Sequence, residues 1–316
     1  MKPTFLFPGQ GSQFVGMGRD FYSEFETVRE LFQEVSALLE MNLVELCFEG
    51  PEATLVRTDN VQPAVTLVNI ACMRVLGEAG IEPVAAAGHS LGEYAALHSA
   101  GVLSLRDTML LVRNRGKFMN DAAKANPGGM IAVMGLPLER VVEICEQAKE
   151  RGSIAIANHN SASQSILTGV PEALDTATEL ARKAGPVLVV PLKVSGPWHS
   201  PMMRPASVEM ERELGACEMH LPAIPVVSNV TGDYFGDTAD IRHGLVQQIV
   251  QPVKWVSCIE RLIASGQRLF VEVGPGHMLA GLMRDIDKSV KVLTMESVAD
   301  FEKLKNYLAD AAQSDE

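Results

Sequence analysis

One pentad constrains this chain more than any other segment: Gly88-His89-Ser90-Leu91-Gly92. It is entered from the apolar run Val84-Ala85-Ala86-Ala87 and followed by helix-forming residues up to Ala100, with a stop at Gly101. A strand that turns sharply through a serine into a helix is the unit of an α/β fold. Such a turn lifts the Ser90 hydroxyl out of the sheet at the positive end of the next helix, where the N–H of Leu91 can face a developing oxyanion. Glycine and serine also build plain turns, so the pentad alone leaves an inert turn open beside a nucleophile.

The rest of the chain alternates in a way that suits such a fold. Phe5-Leu6-Phe7 reads as a short buried strand ending in the loop Pro8-Gly9-Gln10-Gly11-Ser12. No Gly-Lys-Ser/Thr follows this loop, so it is not a phosphate-binding P-loop. Ser23 and Glu26 form an expected capping box ahead of Val28, Leu31, Phe32, Val35 and Leu38 at helical spacing. Pro63 is expected to open a helix that continues to Leu76. After Asn126-Pro127-Gly128-Gly129 the rhythm changes. Residues 130–134 read as a strand and 137–151 as an amphipathic helix. Strands at 154–157 and 165–168 flank the turn-rich Asn158-His159-Asn160-Ser161, before a helix at 171–184 and a strand at 187–192.

The order β-α-β-β-α-β is that of a small ferredoxin-like unit. Alternation resumes afterwards, with strands at Val226-Val227 and 269–273 and helices near 241–250 and 256–264. The expected fold is therefore α/β. Residues 1–126 and 194–316 form a large domain with a parallel central sheet, and 127–193 form an inserted subdomain. Residues 309–316 are small and polar and are expected to fray.

With 316 residues, 47% of them hydrophobic, the chain can bury a large core. No apolar run reaches the roughly 18 residues that span a bilayer, and the Thr4–Phe7 run is cut short by Pro8 and Gly9, so a cytoplasmic protein without membrane attachment is expected. A net charge of −12 argues against nucleic acid as a partner. Lys117, Arg182, Lys183, Lys193 and Arg204 can still supply a local basic patch, or simply solvated surface. Five scattered cysteines, none in C-x-x-C, read as reduced thiols, and the seven histidines form no metal-binding pair. No metal is expected. The sequon Asn229-Val230-Thr231 is expected to be idle.

A serine nucleophile needs a base. His98 falls inside the helix after Ser90, His220 and His243 lie in polar surroundings, and His89 points away from its neighbour in such a turn. His277, after Gly274-Pro275-Gly276, and His199, in Gly196-Pro197-Trp198-His199-Ser200-Pro201, remain as candidates. Local grounds favour His199, in a Pro-bounded loop beside the re-entry into the large domain, where a cleft between the units should lie. For a cationic residue, the stripe Leu105, Met109, Val112, Gly116 and Met119 marks a buried helix face. At about 100° per residue, Arg113 and Arg115 each lie roughly 80° from its centre, on opposite edges. Periodicity leaves both open, including as surface arginines.

Five motifs then occur in one order: Phe7-Pro8-Gly9-Gln10-Gly11-Ser12-Gln13, Gly88-His89-Ser90-Leu91-Gly92-Glu93-Tyr94, Arg115-Gly116-Lys117-Phe118-Met119, Gly196-Pro197-Trp198-His199-Ser200 and Glu272-Val273-Gly274-Pro275-Gly276. Together they resemble the malonyl-CoA:acyl carrier protein transacylases of fatty acid and polyketide biosynthesis, over residues 5–283. The resemblance implies a hydrolase-like α/β domain carrying a ferredoxin-like insertion. It implies Ser90 as nucleophile and His199 as base, with the backbone N–H groups of Gln10 and Leu91 as oxyanion hole. Gln248 matches the position whose main-chain carbonyl orients the histidine, and Arg115 the anchor of the malonyl carboxylate.

The implied reaction is a ping-pong transfer of malonyl from malonyl-CoA to the phosphopantetheine thiol of an acyl carrier protein. It needs no cofactor, and a monomer is expected to carry it out. Carrier proteins are generally acidic, so a positive patch at the cleft mouth is implied. Trp198, bulkier than is usual before the histidine, is expected to narrow the pocket in favour of malonyl over methylmalonyl. The alternative is a proofreading acyl hydrolase of the same fold, although such relatives tend to lack the arginine. A patatin-like lipase needs an Asp-Gly turn, which this chain lacks.

Overall fold

The computed structural model describes residues 2–314, with side chains described up to residue 311. Its strands are β1 (Thr4–Phe7), β2 (Ala85–Gly88), β3 (Gly129–Met134), β4 (Ile154–Ser161), β5 (Gln164–Gly169), β6 (Leu188–Pro191), β7 (Val226–Val227), β8 (Leu269–Val273) and β9 (Lys291–Met295). They form two sheets. A five-stranded sheet in the order β7-β2-β1-β8-β9 is parallel throughout. A four-stranded antiparallel sheet has the order β4-β5-β3-β6. Within its unit this is the second, third, first and fourth strand, the ferredoxin-like arrangement that the order of elements suggested.

The parallel sheet is short-stranded but apolar on both faces, as strands covered by helices must be. Phe5, Phe7, Ala86, Val271 and Val273 alternate into the layer formed by the helices Glu26–Leu39, Thr58–Glu78 and Leu105–Ala125. Leu6, Ala85, Ala87 and Phe270 face the opposite layer, under the helices Trp255–Ala264 and Met278–Ile286. Each fully buried large side chain contributes about 1.5–3 kcal/mol. The antiparallel sheet uses its faces differently. Ile131, Val133, Ile154 and Leu167 pack on the helices Leu138–Ala148 and Pro171–Ala184. Its other face, with Met130, Ala132, Met134, Ile166 and Val190, lines a cleft against the large sheet.

Four local expectations are corrected. Ser23 does not cap the helix Glu26–Leu39, because it lies in a separate helix, Arg19–Glu24, and its hydroxyl donates to the Arg19 carbonyl at 2.9 Å. Pro63 is interior to the helix Thr58–Glu78 rather than its opening residue. The segment Asn158–Ser161 is not a turn but the end of β4. Two register irregularities against β5 absorb its polar residues, and bonds from His159 N to the Val253 carbonyl and from Val253 N to the Ala157 carbonyl stitch it to the large domain. Finally, the small, polar tail is helical as far as it is described. The helix Val298–Ser314 is anchored by buried Phe301 and Leu304, while residues 315 and 316 lie outside the described range. No helix among the described residues is long and apolar enough to cross a membrane.

Candidate active site

β1 and β2 run side by side, with Phe7 opposite Gly88, and the loops beyond their carboxyl ends meet. This edge of a parallel sheet is where crevices form. The approach of the loops leaves no room for side chains. A Cβ on Gly88 would stand 1.9 Å from the carbonyl carbon of Gly92, one on Gly92 2.0 Å from the Phe7 oxygen, and one on Gly9 2.4 Å from the His89 oxygen. Ser90, at the apex, has φ of 52°, a left-handed conformation that costs a non-glycine residue about 1–3 kcal/mol. Its backbone is bracketed by two side chains. Asn229 Oδ1 accepts from Ser90 N at 2.7 Å, and Gln248 Nε2 donates to the Ser90 carbonyl at 2.9 Å.

The Ser90 hydroxyl lies 2.7 Å from His199 Nε2. His199 is itself left-handed, with φ of 56°, in a loop tied by the Ser200 hydroxyl donating to the Pro197 carbonyl at 2.6 Å. Its Nδ1 donates to the main-chain carbonyl of Gln248 at 2.7 Å, which leaves the Nε2 lone pair facing Ser90. Burial lowers the imidazole to about 3, and the nearby Arg115 charge acts in the same direction. His199 is therefore a neutral ring, ready to accept a proton. His277 is exposed, 3.3 Å from Glu296, and takes no part.

Arg115 occupies the inner edge of its helix and is 1% exposed. Its Nη1 donates to Gln62 Oε1 at 2.9 Å, and its Nη2 to Gln248 Oε1 at 2.9 Å and to the Ser90 hydroxyl at 3.3 Å. Its Nε has no partner, and it makes no ion pair among the described residues. The guanidinium is held by neutral groups and the Tyr94 ring, and the carboxyl of Glu93 acts on it only from behind Gln248. Its outer edge can therefore still take an anion. A carboxylate beside Ser90 would supply one through paired hydrogen bonds. Arg113 is only half-buried and does not line the cleft.

The N–H groups of Gln10 and Leu91 donate to no acceptor among the described residues, and Gly9 packs against both the His89 carbonyl and Leu91 N. Two free amides beside a serine hydroxyl can hold an oxyanion. The cavity in front of Ser90 measures about 520 Å³. Gln10, Arg115, His199 and Trp198, which is 5% exposed, form its floor, and the apolar face of the small sheet its roof. Of the five basic residues proposed as a patch, all are exposed and only Lys193 lines this cleft. Among the described residues no group of three or more His, Cys, Asp or Glu side chains could hold a metal ion.

Several residues of the site were not anticipated. Glu93 is fully buried behind the turn, and its two oxygens accept from Asn229 N and Gln248 Nε2, each at 2.6 Å. Asn229, read from sequence only as an idle sequon, braces Ser90 N and the Gly88 carbonyl. Gln62 anchors Arg115, and Asn160 Oδ1 meets His89 Nε2 at 2.9 Å. Only Glu93 left a local signal, as the one carboxylate in the otherwise apolar run Gly92-Glu93-Tyr94-Ala95-Ala96-Leu97.

The model of the acyl transferase domain family matches residues 4–308. The chain belongs to the acyl transferase family. As an acyltransferase it is similar to the malonyl CoA-acyl carrier protein transacylase of Bacillus subtilis strain 168, being 40% identical over 295 residues that cover 93% of each chain. The solved malonyl CoA-acyl carrier protein transacylase of Clostridium perfringens superposes with a TM-score of 0.94 at 37% identity, covering 99% of this acyltransferase and 98% of that chain. A malonyl-transacylase solved in complex with its type II PKS acyl-carrier protein gives 0.92 at 35% identity, covering 95% and 97%. The resemblance carried by the five motifs thus extends along nearly the whole acyltransferase.

Proposed function

We propose that this acyltransferase moves a malonyl group from malonyl-CoA to the phosphopantetheine thiol of an acyl carrier protein, through malonyl-Ser90. One observation carries the reading. The same hydroxyl lies 2.7 Å from a neutral, buried imidazole and 3.3 Å from a buried guanidinium that makes no direct ion pair among the described residues.

In the first half-reaction His199 Nε2 takes the Ser90 proton as the oxygen attacks the thioester carbonyl. The carbonyl oxygen becomes an oxyanion between the N–H groups of Gln10 and Leu91. Collapse expels the CoA sulfur, which receives the proton from His199. In the second half the carrier thiol gives its proton to His199 and attacks the acyl-serine. The Ser90 oxygen leaves and recovers the proton. Arg115 holds the carboxylate through both halves, at the end of the acyl group remote from the bond that breaks. The Gln248 carbonyl fixes the tautomer of His199 without a third acidic residue. No step calls for a cofactor.

All these groups come from one chain, in keeping with a monomer. Residues 1–126 and 194–316 serve as the catalytic unit, and 127–193 as the subdomain that roofs the cleft. Trp198 beside the acyl group favours malonyl over branched cargo. Similarity to transacylases named for malonyl CoA and acyl carrier protein supports both substrates.

Incubation with malonyl-CoA should add one malonyl group at Ser90, seen by intact mass and peptide mapping, and Ser90→Ala should abolish it. An adduct elsewhere would sink the mechanism. Carrier malonylation measured beside free malonate release separates transfer from hydrolysis, and dominant malonate release would make the enzyme a proofreading hydrolase.

A further inference from the structure

The buried carboxyl of Glu93 has no part in the steps above, yet the two residues whose side chains bracket Ser90 both bond to it. Glu93 lies in the first turn of the helix Gly92–Ser99, where the helix dipole favours a negative charge. Its Oε1 accepts from the backbone N of Asn229 and its Oε2 from the side chain of Gln248. These two residues arrive from separate parts of the chain, Asn229 just after β7 and Gln248 at the end of the helix Thr238–Gln248. Each then reaches Ser90, Asn229 through its amide oxygen to Ser90 N and Gln248 through its amide nitrogen to the Ser90 carbonyl. The remaining amide oxygen of Gln248 holds Arg115, and the backbone oxygen of the same residue holds His199.

We propose that Glu93 is a positioning residue: its carboxylate joins Asn229 and Gln248 into a clamp that keeps Ser90 in its strained conformation and Arg115 over the cargo. Burial pushes the Glu93 carboxyl up, but the Asn229 N–H, the Arg115 charge and the Gln248 amide hold it as a carboxylate, since the two donors leave no place for a proton on either oxygen. Both oxygens face donors only, the arrangement an ionised carboxylate satisfies. An amide at this position cannot replace it, because in either orientation one N–H group meets the N–H of Asn229 or the NH2 of Gln248. The simplest escape turns the Gln248 amide over, which presents its NH2 group to Arg115. The guanidinium then loses an acceptor and moves. A purely structural Glu93 would lower stability and slow every acyl group alike. A positioning Glu93 lowers the preference for a carboxylated acyl group.

The inference rests on the malonyl reading above, and the test keeps the two apart. Initial rates of Ser90 loading from malonyl-CoA and acetyl-CoA are measured by intact mass on the full chain, with urea unfolding as a check of folding. Glu93→Gln should lower the malonyl-to-acetyl ratio by about tenfold or more, while Glu93→Asp, which keeps both acceptors, should lose only about twofold to threefold. In an Arg115→Ala background, Glu93→Gln should change the ratio little further, because the group it displaces is gone. An unchanged ratio in folded Glu93→Gln overturns the proposal, as does a loss that persists undiminished without Arg115. If Glu93→Gln fails to fold, Glu93→Asp decides alone by the same two criteria. A wild-type enzyme that does not load malonyl at all overturns both readings. One that loads, with variants that leave the ratio unmoved, overturns this one only.

Discussion

The floor and the roof of the cleft are built on opposite principles. The floor rests on backbone packed against backbone, from which the side chains of Arg115, His199 and Trp198 project. Gly9, Gly88 and Gly92 bring the loop after β1 and the turn after β2 closer than any Cβ permits, and a strained serine sits at the apex of that turn. The roof is side chain, the open face of an antiparallel sheet with Met130, Ala132, Met134, Ile166 and Val190. In the proposed reaction the floor carries every group that touches a reacting atom. The roof supplies a mostly apolar wall, which disfavours water beside the acyl-serine of the proposed reaction. The contrast teaches that the reacting groups and the carboxylate anchor sit where backbone packing allows no shift, while the wall facing them is made of side chains that can adjust.

The sharpest way to break this contrast is to add one methyl group to each surface. Gly92→Ala places a Cβ 2.0 Å from the Phe7 oxygen and should cost more than about 3 kcal/mol, read as a collapse of the urea midpoint or of soluble yield. On the roof, Met134→Leu is a near-conserved volume change and should cost less than about 1.5 kcal/mol. Equal costs would mean that the roof is packed as tightly as the floor.

Next in size comes His199→Ala. It leaves the fold in place and should slow Ser90 loading by about a hundredfold to ten-thousandfold in a stopped time course, the range of a lost general base. Met134→Leu should act mainly on KM. A roof variant that cut kcat as deeply would merge the two surfaces functionally.

The floor was legible in sequence because its parts are local. Gly88-His89-Ser90-Leu91-Gly92 fits between a strand and a helix, and the loop of Gln10 follows directly on β1. Periodicity stopped short at Arg113 and Arg115, which only the motif separated. The side-chain contacts behind the floor were not legible. Gln248 enters only through the resemblance and only for its carbonyl, and nothing in the sequence marks Glu93, Asn229 and Gln62 as site residues, because most of the contacts these four side chains make span 53 to 158 positions. Asn158–Ser161 failed for a related reason. Its residues favour turns by local propensity, but pairing with β5 and with Val253 overrides that preference. Pro63 misled because proline favours the first position of a helix, whereas this helix begins at Thr58.

A smaller effect tests the bracing of the floor. Asn229→Ala removes the acceptor of Ser90 N and the donor to the Gly88 carbonyl. Each buried group left unpaired costs about 1–3 kcal/mol, so the unfolding midpoint should fall measurably while Met134→Leu stays near wild type. A midpoint unmoved by Asn229→Ala would show that the turn holds its shape without the side chain.

The smallest effect is a shift in pH. His199 titrates at about 3 in the folded chain, against an ordinary value of 6.5, because of burial first and the Arg115 charge second. Between those values the unfolded chain binds a proton that the folded one does not. The contribution to stability is thus complete above pH 6.5 and is lost as pH falls towards 3. For catalysis the same shift keeps the base form available, so Ser90 loading should not decline as pH passes downward through 6.5. Arg115→Ala removes a positive neighbour of the imidazole. The acid limb of acetyl loading should then move to higher pH than in the wild type, while Met134→Gln on the roof leaves it in place. A limb that stays put without Arg115 would assign the low value to burial alone, and a limb moved by Met134→Gln would show that the roof, too, acts on the charge of the base.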